Sequence, residues 1–229
     1  MKKRSSFFLL FIFFSFPLFC GFDLKGRIRL EGKPPATIWL DVPAEHQADC
    51  GERKLSPRLK ISWEGGVASA AVWLEGNFPS EFPASSNKNH TLDQLRCKFS
   101  PHIQLLPKNA PLSIINSDGF LHNVRAFDQK SGMLFNDAMP TKGQVLEKRF
   151  GEPGIVVVRC GIHHWMHAIV VVQEHPYYAL TDEAGRFKIS GIPEGSYTLH
   201  VWHETLGELK KEVKPGTPPI ELSYRSPNQ

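Results

Sequence analysis

At 229 residues, 41% hydrophobic and 22% charged, the chain is long enough to bury one large core or a medium and a small one, and its composition is that of a globular protein. The formal net charge is +4, but three of the positive charges are Lys2, Lys3 and Arg4; without them the remainder carries about +1. Such a near-neutral balance argues against a nucleic-acid partner.

Those three basic residues precede Phe7 to Phe19, an apolar run broken only by Ser15 and Pro17 and too short to span a bilayer comfortably. The pattern predicts a secretory signal peptide over residues 1–20, cleaved near Cys20 or Gly21, with a periplasmic or secreted mature chain that has no stable membrane span. Lipid anchoring at Cys20 is the less favoured alternative, because bulky Phe19 stands where a lipidation signal wants a small residue. With Cys20 removed, Cys50, Cys97 and Cys160 remain. An odd number in an oxidising compartment leaves one thiol unpaired. The simplest partition joins Cys50 to Cys97 and leaves Cys160 free because a metal holds it.

From Phe22 onward the chain reads as short strands and turns, with little sign of helix. Residues 24–30 (LKGRIRL) and 36–42 favour strand around the turn Glu31 to Pro35. Lys60 to Trp63 and Val67 to Leu74 flank a turn at Glu64, Gly65 and Gly66. Gly76 to His90 reads as a long loop. Ile103 to Leu106, Leu112 to Asn116 and His122 to Phe127 follow as strands, Lys130 to Gly143 as irregular chain, and Val145 to Phe150, Ile155 to Cys160 and Ala168 to Gln173 as strands again. The style changes near Glu174 to Pro176. Beyond it, Tyr177 to Leu180, Arg186 to Ile189, Tyr197 to His203 and Ile220 to Tyr224 form either a small second sandwich or late strands of the first; about fifty residues is small for independent folding.

The chemistry is concentrated in IVVVRC followed by GIHHWM, residues 155–166. An apolar strand delivers Cys160 to its end, and His163 and Met166 follow within a turn. Thiolate, imidazole and thioether together favour copper, and a mononuclear electron-transfer site needs one more imidazole. His122 is the best source: it follows the turn Ser117 to Gly119 at the start of a strand, from which it can reach across the end of a sandwich. Met166 taken alone reads as a core gap-filler, but its position beside Trp165, in a loop between two strands, favours a ligand.

His-Asn-Val at 122–124 followed by Cys-x2-His-x2-Met at 160–166 resembles the cupredoxins, and the short loop looks most like that of amicyanin. The resemblance, clearest over residues 95–173, implies a Greek-key β-sandwich, one copper ion cycling between Cu(I) and Cu(II), His122, Cys160, His163 and Met166 as its ligands, and electron transfer between periplasmic donor and acceptor proteins. LDQLRC, the INSD turn and WHE at 202–204 look like the methylamine-utilisation-like group of periplasmic cupredoxin-like proteins. Two departures stand out. His164 occupies the position of a proline in amicyanin-type loops, which leaves His163 and His164 as competing ligands. Gly161 replaces the Ser or Thr that bonds the Asn after the first histidine, so Asn123 is expected to clasp the loop through backbone groups.

The sequence around GRFKISGIPEGSYTLHVW resembles carboxypeptidase-regulatory-like domains, small transthyretin-like sandwiches. The expected organisation is therefore a signal peptide over 1–20, a copper domain over 22–173 and an accessory β segment over 174–229. An oxidase or nitrite-reductase relay would need histidines beside Cys160, where Arg159 and Gly161 stand, and a dinuclear copper centre would need a cysteine at Val156. An enzyme is not expected; the remaining alternative is a copper-delivery or structural module. The edge of His163 is expected near the surface, with Ile162 and Trp165 as an apolar docking patch. His164 and His167 are read as flanking residues, His46 and His90 as solvated, and His102, His175, His200 and His203 as structural.

Overall fold

A computed structural model describes residues 21–78 and 89–226; the expected signal peptide and most of the loop Gly76 to His90 lie outside them. Helix is confined, among the described residues, to Ala44–His46 and the four-residue turn Gln47–Cys50, and the rest of the regular structure is β. No described helix is long and apolar enough to cross a membrane.

Strands form two sandwiches. The first stacks a five-stranded sheet, ordered Gly132–Met139, His122–Asp128, Gly154–Cys160, His167–Gln173 and Ile103–Pro107, on a four-stranded sheet ordered Val145–Lys148, Leu112–Asn116, His90–Gln94 and Phe99–Ser100. Side chains alternate between the faces of a strand, so Val124 and Ala126, Val156 and Val158, and Ala168, Val170 and Val172 point inward, against Leu92, Leu112 and Ile114 of the facing sheet. The same alternation places His122 and Cys160 on the inner rows, where the five-stranded sheet runs out.

The second sandwich places the sheet Arg186–Ile192, Phe22–Glu31, Ile220–Arg225 over the sheet Tyr178–Leu180, Ala71–Glu75, Tyr197–His203, Gly207–Val213. Its core mixes Leu24, Ile28, Val72 and Leu74 from the start of the chain with Phe187, Ile189, Leu199, Val201 and Tyr224 from the end. The expected boundary at residue 173 therefore needs correcting. Phe22–Glu31 and Ala71–Glu75 sit at the middle of its two sheets and pair with strands beyond residue 177. A segment of about fifty residues buries too little apolar surface to stand alone, and the N-terminal strands complete it.

The two sandwiches share a third apolar cluster. Ile169 and Val171, on the outer face of their strand, join Ile103 and Leu105 and meet Ala71, Trp73, Tyr178, Leu180 and Trp202. Burial on both faces explains why residues 168–172 read as an unbroken apolar run rather than an alternating one. Five strands escaped the sequence reading: Arg53–Leu55, His90–Gln94, Phe99–Ser100, Gly132–Met139 and Gly207–Val213. Gly132–Met139, expected to be irregular, pairs along His122–Asp128, and Gly207–Val213 pairs along Tyr197–His203. Both are largely exposed edge strands, so neither carries the alternating apolar pattern of a central strand. The turn at Glu64 to Gly66 is present, with Gly65 at φ +81° and a bridge between Ile61 and Val67.

Candidate metal centre

Cys160 pairs with Val124 across the sheet, so His122, two residues earlier on the neighbouring strand, is its diagonal neighbour on the inner face. The loop after Cys160 then folds back: the Met166 N–H donates to the His163 carbonyl (2.8 Å) and the Cys160 N–H to the Met166 carbonyl (3.2 Å). This closure lays His163 over the sulfur. Cys160 Sγ is 3.9 Å from His122 Nδ1 and 3.7 Å from His163 Nδ1, and the two Nδ1 atoms are 3.0 Å apart.

An ion bonded to nitrogen at about 2.0 Å and to sulfur at about 2.3 Å, in a trigonal plane, holds those three atoms roughly 3.5–3.7 Å from one another. The three donors therefore fit one metal ion with only small adjustments. All three residues are buried. The thiol is also prepared: burial pushes it up, but hydrogen bonds from the His122 and His163 rings and from the His163 and Asn123 backbone N–H groups outweigh burial and hold it at about 5. Cys160 is thus a thiolate at neutral pH, the form that binds metal.

His122 is oriented from behind. Its Nε2–H donates to Asp118 Oδ2 (2.9 Å), and Asp118 also accepts from the N–H groups of Arg96 (2.7 Å) and Cys97 (2.9 Å). That bond keeps a proton on Nε2, so Nδ1, which shares its own proton with the Cys160 sulfur in the metal-free chain, is the nitrogen that would give up a proton to bind a metal. Asn116 builds the turn that presents Asp118, accepting from the Asp118 N–H through Oδ1 (3.0 Å) and donating to the Phe120 and Met139 carbonyls. Sequence reasoning gave Asp118 no role of its own; it entered only as the last residue of the INSD turn, four residues before a candidate ligand.

Of the adjacent histidines, His164 is exposed, while His163 is buried and faces the sulfur. Met166 is buried in the same apolar cluster as Cys160. The Asn123 backbone N–H faces the Cys160 sulfur, while its Nδ2 donates to Asn136 Oδ1 (2.8 Å) and the Asp137 carbonyl (3.2 Å). A Cβ on Gly161 would lie 2.5 Å from Asn123 Oδ1, so any larger residue there would have to push that amide out of its place.

One expectation is corrected. His163 is not at the surface; it is 3% exposed, because the His46 ring (centroids 4.8 Å apart) and Trp165 (5.2 Å) cover it. Ile162 and Trp165 are partly buried against the core rather than forming an open patch. Cys50 and Cys97 form a disulfide, and their sulfurs lie within 4.8 Å of a His163 ring nitrogen. Trp165 Nε1 donates to the Cys97 carbonyl (3.1 Å), which anchors the ligand loop to that disulfide. Cys160 is the one free cysteine among the described residues.

No family model and no curated protein matches the sequence. Solved structures overlap part of it: a purple cupredoxin from Nitrosopumilus maritimus (22% identity, TM-score 0.34, 37% of this chain and 100% of that one), the reduced Cu(I) form of an amicyanin mutant (21%, 0.35, 44% and 98%), and the copper-containing nitrite reductase of Thermus scotoductus (22%, 0.33, 38% and 23%). Each overlap spans less than half of this chain, and the last spans under a quarter of the reductase.

Proposed function

We propose that this chain is an exported mononuclear copper protein of the type 1 kind that carries single electrons between periplasmic redox partners and performs no catalysis of its own. The observation that carries the reading is the convergence of one thiolate and two imidazole nitrogens within 3.0–3.9 Å, buried at the end of a sheet. Thiolate with two imidazoles and a weak axial thioether is the donor set of electron-transfer copper, and Met166, closing the loop, supplies the thioether.

When bound, copper supplies a one-electron couple between Cu(I) and Cu(II). The chain's part is to keep the donors still. Cys160 sits on a central strand, the bond to Asp118 fixes the His122 ring, and the closed loop and the Trp165 anchor hold His163. A site that does not rearrange keeps the reorganisation between oxidation states small. Electrons enter and leave through the cover over His163, where the partly exposed ring of His46 stands nearest.

Voltammetry of the copper-loaded chain tests this reading. Reversible one-electron cycling, with copper retained in the presence of a chelator, is the expected result. Copper that leaves readily to the chelator without cycling would instead identify a delivery or storage module.

A further inference from the structure

At the seam between the sandwiches lies a second cluster of donors. His102, at the start of Ile103–Pro107, and His167, at the start of His167–Gln173, belong to the first sandwich; Glu204 follows Tyr197–His203 of the second. Their ligand atoms lie within 4.8 Å of one another. All three side chains are largely buried, Glu204 at 4% exposure.

The hydrogen bonds assign the tautomers. His102 Nδ1 faces the His167 carbonyl (3.1 Å), and His167 Nδ1 faces the Trp165 carbonyl (3.5 Å). A carbonyl only accepts, so each Nδ1 carries the proton. Each Nε2 then faces the same carboxylate: His102 Nε2 meets Glu204 Oε1, and His167 Nε2 lies 3.4 Å from Oε2. Both nitrogens of each ring thus face acceptors, so a positive charge, carried either by the rings themselves or by a bound metal ion, must sit between the two imidazoles and the carboxylate. A backbone carbonyl on one ring nitrogen with the other turned inward is also how proteins orient metal-binding histidine. Arg58 Nε, from the exposed side, is the remaining cationic contact to Glu204 (3.3 Å).

We propose that His102, His167 and Glu204 bind one divalent ion of the zinc class, clamping the two sandwiches together. Two imidazoles and a carboxylate, without thiolate, suit borderline divalent metals, with one position left for water. The clamp also reaches the copper loop, because His167 follows Met166 and its carbonyl accepts from His102.

The proposal is independent of the copper reading, and so is its test. In the His122→Ala/Cys160→Ala variant, which lacks the copper donors, calorimetric titration with Zn2+ should show one ion per chain and a raised melting temperature. Adding His167→Gln or Glu204→Gln should weaken that binding at least 100-fold and abolish the thermal shift. No Zn2+ uptake, or uptake that survives both substitutions, overturns the proposal and leaves Glu204 as a plain ion-pair partner. If the variants fail to fold, anomalous scattering at the zinc edge from crystals of the unaltered chain grown with Zn2+ decides: a peak between His102 Nε2 and Glu204 supports the clamp, and its absence there refutes it.

Discussion

His122 Nδ1 and His163 Nδ1 lie 3.0 Å apart although 41 residues separate them in the chain. One comes from a strand and the other from a loop. Two lone-pair nitrogens this close are stable only with a proton or a cation between or beside them, and the Cys160 sulfur completes the triangle. The first consequence concerns the group that aims His122. Asp118→Asn replaces one of the carboxylate acceptors by a donor that opposes His122 Nε2–H or a backbone N–H. Copper affinity, measured by competition with a chelator, should fall about 10- to 100-fold with all ligands in place. Unchanged affinity would show that His122 is held without Asp118.

Gly161→Ala puts a methyl group 2.5 Å from Asn123 Oδ1. The clash should cost about 1–3 kcal/mol in denaturant unfolding. In the Asn123→Ala background the same substitution should cost much less, since the obstructing amide is gone.

The Cys50–Cys97 disulfide joins residues 47 apart. Replacing both by Ala should lower the stability of the metal-free chain by about 4 kcal/mol from loop entropy alone. It should also loosen the copper loop, because Trp165 anchors on the Cys97 carbonyl. Faster copper loss to a chelator would report that coupling.

Acid should destabilise the chain through buried neutral histidines. His175 is held below the ordinary histidine value by burial; its Nε2–H donates to the Leu74 carbonyl and its Nδ1 accepts from the Tyr177 N–H. Burial likewise lowers His203, to about 4. Protonation costs more in the folded chain than in the unfolded one, so the unfolded state takes up protons first as pH falls. The stability is intact above about pH 6.5 and is lost on the way down to the folded values, at up to about 1.4 kcal/mol per pH unit for each ring. His175→Gln should flatten the slope between pH 6.5 and 5, and an unchanged slope would contradict this account.

The sequence showed the ligand triangle more clearly than the architecture around it. Cys160, His163 and Met166 lie within seven residues, and His122 begins a strand with visible alternation. The partners of Phe22–Glu31 lie at Arg186–Ile192 and Ile220–Arg225, more than 150 residues on, and no local pattern encodes such pairing. The apolar strands Ala71–Glu75 and Tyr197–His203 were recognised as strands, yet nothing in them says which sandwich they join. Asp118 and Glu204 lay in the INSD and WHE segments without a role of their own, because a single carboxylate gains meaning only from the imidazoles that the fold brings to it.

The central claim is that Cys160 is the thiolate of a copper site shared with His122 and His163. The visible absorption spectrum of the Cu(II)-loaded chain, with copper counted per chain, tests it most directly. One copper per chain and an intense thiolate-to-copper charge-transfer band that vanishes in Cys160→Ser is the predicted result. A chain that binds no copper, or a band that survives Cys160→Ser, would contradict it.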